Sequence, residues 1–369
     1  MPRHLSQGDS PSRDAPASPV TAGPPGSAGG RGPPRGLFSF LRAHPIVCLL
    51  LLTPGIPEYL SSSSPLDAII LNPAQFGFQL IANLGLYGPG VLLIREAMIR
   101  WRKGWATVLL LGAAYGILEE GIGLSTLFNP QAGPVGQMGY FGHWLGVSWI
   151  WVALILPVHM IFSISIPILL LGLALPSTRG RSLLSRRGIV GTFAILAVDV
   201  TGLFLLIYFG VGFWMGYPVL LGSFLAIGVL AYMARHAPSG RPLARTALPL
   251  KRPRTMFALG VIFYPTALIT ESFGMGLHLP AFIVFVLVII IQALFLVYVL
   301  RVIGHSSNEP QLVVFTFGLV IPIAAIGLIA TIGFPVALVG DLVMVLFFRK
   351  LWRRYQHHPL SAVSSPTLG

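Results

Sequence analysis

The chain has 369 residues, of which 54% are apolar and only 9% charged, against about 25% charged in an average soluble domain. With a mean hydropathy of +0.80 it cannot cover a water-facing surface with charge. That excludes a soluble enzyme or nucleic-acid binder and points to an all-α, polytopic transmembrane helix bundle. The net charge of +13 does not bring nucleic acid back as a partner, because the basic residues sit between apolar runs and form no single groove.

Residues 1–36 contain 8 Pro, 7 Gly and 5 Ser. Such a segment buries too little apolar surface to offset ordering entropy, and it has no apolar core of a cleavable signal. A disordered tail is expected there, followed by a transmembrane domain over 37–355 and a second tail over 356–369. Cys48 is the single cysteine, which excludes an intramolecular disulfide and any multi-Cys metal site. No metal ligand set is read from the sequence, and no cofactor is named by it. A phosphate-binding Gly-x-x-x-x-Gly-Lys-Ser/Thr loop is absent from the sequence, which argues against direct coupling to ATP within the chain.

A membrane helix needs about 20 mostly apolar residues. Ten runs qualify, at approximately 42–60, 75–100, 105–127, 146–175, 189–211, 217–235, 255–274, 280–301, 311–332 and 334–350. The first is the weakest, since its apolar stretch ends in Pro54-Gly55-Ile56-Pro57. When the segments between runs are numbered with the N-terminus inside, all 24 Lys and Arg fall on the inner side. The positive-inside rule asks only for an excess, and this is complete segregation. Ten spans in the cell membrane with both termini cytoplasmic are therefore expected. Arginine outnumbers lysine 21 to 3, which fits a GC-rich genome and a prokaryotic source. Two outer segments are long, 61–74 and 128–145, and are expected to pack over the bundle. No convincing internal repeat is visible. The first and sixth runs carry breaks at Thr53-Pro54-Gly55 and Gly216-Tyr217-Pro218, of the kind transporters place near a binding site.

Ionisable groups inside a membrane are costly and mark function by default. The third run holds Glu119-Glu120 amid Gly112, Gly116, Gly121 and Gly123. Two adjacent carboxylates in a low dielectric do not both ionise readily, so the pair is suited to holding a shared proton. The glycines let another helix approach closely. Of nine histidines only His159 lies deep in a run. Ser163 follows it by one turn and shares its face, and Pro157 frees a backbone carbonyl. By helical rise, Glu119 lies about 21 Å, His159 about 24 Å and Asn83 about 27 Å from the inner boundary. One polar cluster across three consecutive helices is expected, with Gln79 a turn beyond Asn83. Asn83, Ser163 and Asp199 are candidate substrate contacts. Glu271 and Asp341 are less informative. Glu96 beside Arg95 reads as an ion pair or a snorkelling end, Glu58 as a boundary acid, and Trp144, Trp149 and Trp151 as an interfacial belt.

Glu119-Glu120 followed by His159 resembles the CAAX-protease and bacteriocin-processing (CPBP) family of intramembrane proteases over roughly residues 105–200. That family pairs Glu-Glu-x-x-x-Arg with Phe-x-x-x-His and a later His-x-x-x-Asn/Asp. The resemblance implies Glu119 as the base that activates a water, Glu120 as its neighbour and His159 as the second-motif histidine that holds the water and stabilises the oxyanion. Leu124 stands where the motif has Arg, Ile155 where it has Phe, and the fifth and sixth runs offer Asp199 but no histidine. Three functions stay open: a membrane-embedded peptidase, a proton-coupled transporter using Glu119 and Glu120, and a noncatalytic membrane scaffold. The expected partners are the lipid bilayer and a peptide or small-molecule substrate.

Overall fold

The computed structural model describes residues 40–41, 43–239, 252–303, 309–331 and 336–357. The tail expected over 1–36, and all but the first two residues of the one over 356–369, lie outside the described residues. The fold is all-α and that of an integral membrane protein. Its helices are α1 (Pro45–Leu60), α2 (Ala68–Leu71), α3 (Pro73–Arg100), α4 (Trp105–Gly123), α5 (Trp149–Ala174), α6 (Arg186–Val211), α7 (Tyr217–His236), α8 (Pro253–Gly276), α9 (Ala281–Ile303), α10 (Glu309–Ala330) and α11 (Val336–His357). Each of the ten apolar runs falls on one helix, with α2 an extra turn inside the outer segment 61–74. Eight, α3 to α10, are long and apolar enough to cross a membrane. α1 is shorter, and α11 ends in Arg349, Lys350, Arg353 and Arg354. α11 continues through His357, so the expected C-terminal tail starts inside a helix.

Local chemistry sets the boundaries. α3 begins with Pro73 after Asn72, whose side-chain oxygen accepts the Gln75 amide at 3.2 Å, a pairing suited to the first turn. Ser185 caps α6 by accepting the Gly188 amide at 3.0 Å. The apolar run of α4 was expected to reach 127, but the helix stops at Gly123. Ser125 takes a left-handed conformation (φ 57°), and the chain turns back so that Thr126 reaches Glu120. Between α4 and α5 the outer segment holds a short hairpin, β1 (His143–Trp144) against β2 (Val147–Ser148), antiparallel with His143 opposite Ser148.

α5 is the centre of the bundle. Phe162, Ile166 and Leu170 on one side join a core with Met256, Phe263, Val313 and Leu319 from α8 and α10. Ile164, Ile168 and Leu171 join a second core with Leu49, Leu86, Val91 and Leu196 from α1, α3 and α6. A helix apolar all round belongs inside a bundle. By contrast α6 and α7 expose Val190, Phe193, Val198, Leu221 and Leu225, an apolar surface that suits lipid and not water. Backbones meet closely where glycines permit. A Cβ on Gly260 of α8 would lie 2.4 Å from the Phe315 carbonyl oxygen of α10, and one on Gly112 of α4 would lie 3.0 Å from Met160 Cα of α5.

Four helices widen into π turns, at Gly55–Leu60, Ile117–Gly123, His159–Ser165 and Ile207–Val211. Prolines lie at or just before two of them, Pro57 in α1 and Pro157 in α5. A proline cannot donate to the carbonyl four residues back. In α5 that carbonyl belongs to Ala153, and Gln292 of α9 takes it with its side-chain amide at 2.9 Å.

Candidate acid–base centre

Three of the four π turns converge on one polar centre, and π turns inside α-helices concentrate at functional sites. The α4 turn carries Glu119 and Glu120, the α5 turn carries His159 and Ser163, and the α1 turn carries Glu58. Gly112 and Gly116 bring α4 against α5. A Cβ on Gly116 would lie 3.2 Å from His159 Cβ, so this close approach places the carboxylates beside the imidazole.

The His159 ring is bracketed by the two carboxylates. Its Nε2 lies 3.0 Å from Glu120 Oε1 in a hydrogen bond. Its Nδ1 lies 3.0 Å from Glu119 Oε2 in ion-pair contact and 3.2 Å from the Ser163 hydroxyl. Side-chain exposure is 1% for Glu119, 10% for Glu120 and 2% for His159. The second Glu120 oxygen accepts the Thr126 hydroxyl, and Thr126 in turn accepts the Trp151 indole N–H at 3.1 Å. Glu120 is thus clamped from both ends. Glu119 has no such clamp: its Oε2 lies 3.0 Å from His159 Nδ1, and the buried Tyr115 hydroxyl faces Glu119. Tyr87 stacks on the His159 ring at 6.2 Å and 18°, and Tyr115 packs edge-on at 6.1 Å.

This arrangement can exchange a proton. With His159 neutral, Nε2–H donates to Glu120 and Nδ1 accepts from Ser163. When protonated, the ring turns an Nδ1–H toward Glu119 as well. Glu119, Glu120 and His159 also each offer one ligand atom within 4.8 Å of one another. That spacing is compatible with a shared cation, but both ring nitrogens already face carboxylates at hydrogen-bond distance.

The remaining candidates divide. Ser163 joins the centre directly. Asn83 does not touch it: its amide donates to Ser64 at 3.0 Å, Ser64 donates to Glu58 at 2.9 Å, and the Tyr87 hydroxyl donates to Glu58 at 2.6 Å. The expected cluster therefore includes Asn83 only at the end of a hydrogen-bonded chain. Asp199 is half-buried against α3, where a Cβ on Gly85 would meet its Oδ1 at 2.7 Å, and lies within electrostatic reach of Glu119. Its Oδ2 has no hydrogen-bond partner among the described residues. Glu58, Tyr87, Tyr115, Thr126 and Trp151 were not expected in the centre. For Glu58 a signal existed, the Pro-Gly break that precedes it, which becomes the π turn that swings it inward.

At the basic end of the bundle Arg95 and Glu96 are both buried, and they do more than pair at 3.5 Å. Glu96 accepts Arg100 Nε at 3.0 Å, the Leu183 amide at 2.6 Å and the Ser182 hydroxyl. Arg95 donates to the carbonyls of Thr178 at 2.6 Å and Arg181 at 3.0 Å. Together they fasten the α5–α6 connection to α3.

Fold and centre together define an integral membrane protein, a bundle of apolar helices around a buried carboxylate–imidazole–carboxylate group. The chain belongs to an uncharacterized membrane protein family, whose profile matches residues 47–352 and so takes in every residue of the centre. No curated protein and no solved structure matches it.

Proposed function

We propose that this protein is a membrane-embedded hydrolase acting on a peptide bond, with an acid–base site similar to that of the CPBP proteases. The observation that supports this most is the unequal treatment of the two carboxylates. Glu120 is held at both oxygens, by His159 and by Thr126, whereas Glu119 Oε2 lies 3.0 Å from Nδ1 of the same ring, a contact that becomes a hydrogen bond only when His159 is protonated. A general base needs such an oxygen within reach of its water. Glu119 takes the proton as the water oxygen bonds to the substrate carbonyl carbon. The carbonyl oxygen becomes an oxyanion, stabilised by His159, the part the resemblance gives the second-motif histidine. Collapse breaks the C–N bond, and the proton passes from Glu119 to the leaving amine. The reading includes ten spans with both termini cytoplasmic, supported by the one-sided placement of every Lys and Arg, and a prokaryotic cell membrane, supported by 21 Arg against 3 Lys.

A second reading, a proton-coupled transporter, draws support from the enclosure of the centre, whose three side chains are at most 10% exposed. One set of proteoliposomes separates the two. Wild-type protein is expected to cleave a library of quenched fluorescent transmembrane peptides, and Glu119→Gln and Glu120→Gln to abolish cleavage without loss of folded protein. Cleavage that survives both substitutions refutes the hydrolase. Proton uptake by an internal pH dye, lost in Glu119→Gln with no cleavage by any form, establishes the transporter instead.

A further inference from the structure

A cavity lies beside the Ile161–Leu173 stretch of α5. It has a volume of about 440 Å³, within the range of small-molecule sites, and neither Glu119, Glu120 nor His159 lines it. It is bounded by α3, α4, α5, α8, α9 and α10, with walls that include Met98, Trp105, Leu169, Phe295, Leu312 and Leu319. Along α5 it reaches from Leu173 to Ile161, about 18 Å by helical rise.

The polarity of the cavity is one-ended. Three hydroxyls line it, and each gives its hydrogen to a backbone carbonyl at 2.7 Å: Ser165 to Met160, Thr178 to Leu175 and Thr316 to Leu312. The deep walls therefore offer no hydroxyl hydrogen to a polar guest. Charge is confined to the loop end, where Arg95, Arg179 and Glu309 meet. The Arg179 side chain is 42% exposed. Its Nε donates to the Gly172 carbonyl at 2.7 Å, one terminal nitrogen pairs with Glu309, and the other lies 3.4 Å from the Tyr355 hydroxyl. Guanidinium has five N–H groups, so two remain for an anion, and exposed Arg181 stands nearby.

We infer that this cavity binds an anionic glycerophospholipid, with one acyl chain between α5 and α8–α10 and the phosphate at Arg179. The occupant must be apolar along its length and negative at one end. A lipid of the leaflet that meets the basic loops satisfies both conditions. The inference stands apart from the hydrolase reading, because it concerns a different site.

The test uses the full chain in nanodiscs with phosphatidylglycerol bearing a diazirine on one acyl chain, and the same probe with a phosphocholine head. Photo-adducts located by peptide mass spectrometry are expected on Leu169, Phe295 and Leu312, with about a fivefold preference for the anionic head, the size of one exposed ion pair. Gly172→Leu fills the cavity without a backbone clash, since its Cβ would sit 3.6 Å from Arg179 Nε. It is expected to remove those adducts while sparing adducts on lipid-facing Ile290 and Leu294 of α9. The wild-type adduct map stands even if that variant misfolds. Adducts confined to Ile290, Leu294 and similar outward residues, equal labelling by both head groups, or cavity adducts that persist in folded Gly172→Leu would each overturn the inference.

Discussion

Substitution of Gly112 by alanine tests whether the α4–α5 approach creates the acid–base centre. The added Cβ would sit 3.0 Å from Met160 Cα, while carbon atoms in ordinary contact are about 3.5–4.0 Å apart. The obstacle is backbone, so the helices must part by about 0.5–1 Å. That displacement stretches the 3.0 Å bond between Glu120 Oε1 and His159 Nε2 toward about 3.5 Å, where a hydrogen bond ceases to count. Overpacking costs about 1–3 kcal/mol, and alanine recovers about 1 kcal/mol of helix propensity. The net loss of stability is therefore about 0–2 kcal/mol. The loss at the site is larger, about 1.5–3 kcal/mol for a hydrogen bond to a charged group, or roughly tenfold to over a hundredfold in any activity that depends on it. Gly123→Ala is the control, because its Cβ would find neighbours only at 3.7–3.8 Å. The assays are the thermal midpoint in detergent and the imidazole nitrogen resonances of His159, assigned by difference against His159→Gln. Gly112→Ala should shift those resonances and lower the midpoint slightly, and Gly123→Ala should do neither. Identical His159 resonances in both variants would refute the reasoning.

Thr126→Val removes the clamp on Glu120 and leaves Trp151 Nε1 without its acceptor; it should cost about 1–3 kcal/mol, and Thr126→Ser should restore the wild-type midpoint. Glu96→Gln leaves Arg95 and Arg100 without their carboxylate, a loss of about 3–5 kcal/mol for a broken buried pair. Trypsin should then cut faster at Arg179, Arg181 or Arg186, and an unchanged digestion rate would show that the α5–α6 connection is held by other contacts. Cys48 is buried, so single added cysteines can report topology. A membrane-impermeant maleimide should label Ser63→Cys on intact cells and Arg187→Cys only after permeabilisation, and the reverse pattern would invert the proposed orientation.

Some of the architecture was legible because it follows from local chemistry. Lipid demands long apolar helices, so ten runs stood out, and each lies on a helix. Glu119, Glu120 and His159 were legible because ionisable groups are rare in such runs, and their common depth follows from a fixed rise per residue. The Gly112 and Gly116 spacing foretold a close helix approach, and Pro157 foretold a freed carbonyl, later found with Gln292. The reading of Glu58 as a boundary acid misses its bond to Tyr87, because the π turn that redirects it has no sequence period of its own. Asn83 shares the depth of the centre but turns to Ser64, since equal depth does not specify rotation about a helix axis.

Composition and charge by themselves determine that the chain lives in a bilayer as a helical bundle, because the water–lipid transfer cost acts on each residue wherever it sits in the fold. Which residues meet is a different matter. Glu119 and Glu120 are neighbours in sequence, yet they meet opposite nitrogens of one imidazole, and Glu120 is clamped by Thr126 after a left-handed turn at Ser125, with Trp151 behind it from the next helix. The cavity beside α5 is likewise built from helices far apart in the chain. Contacts of that kind depend on helix rotation, glycine-limited separation and π turns, and only packing in three dimensions decides these.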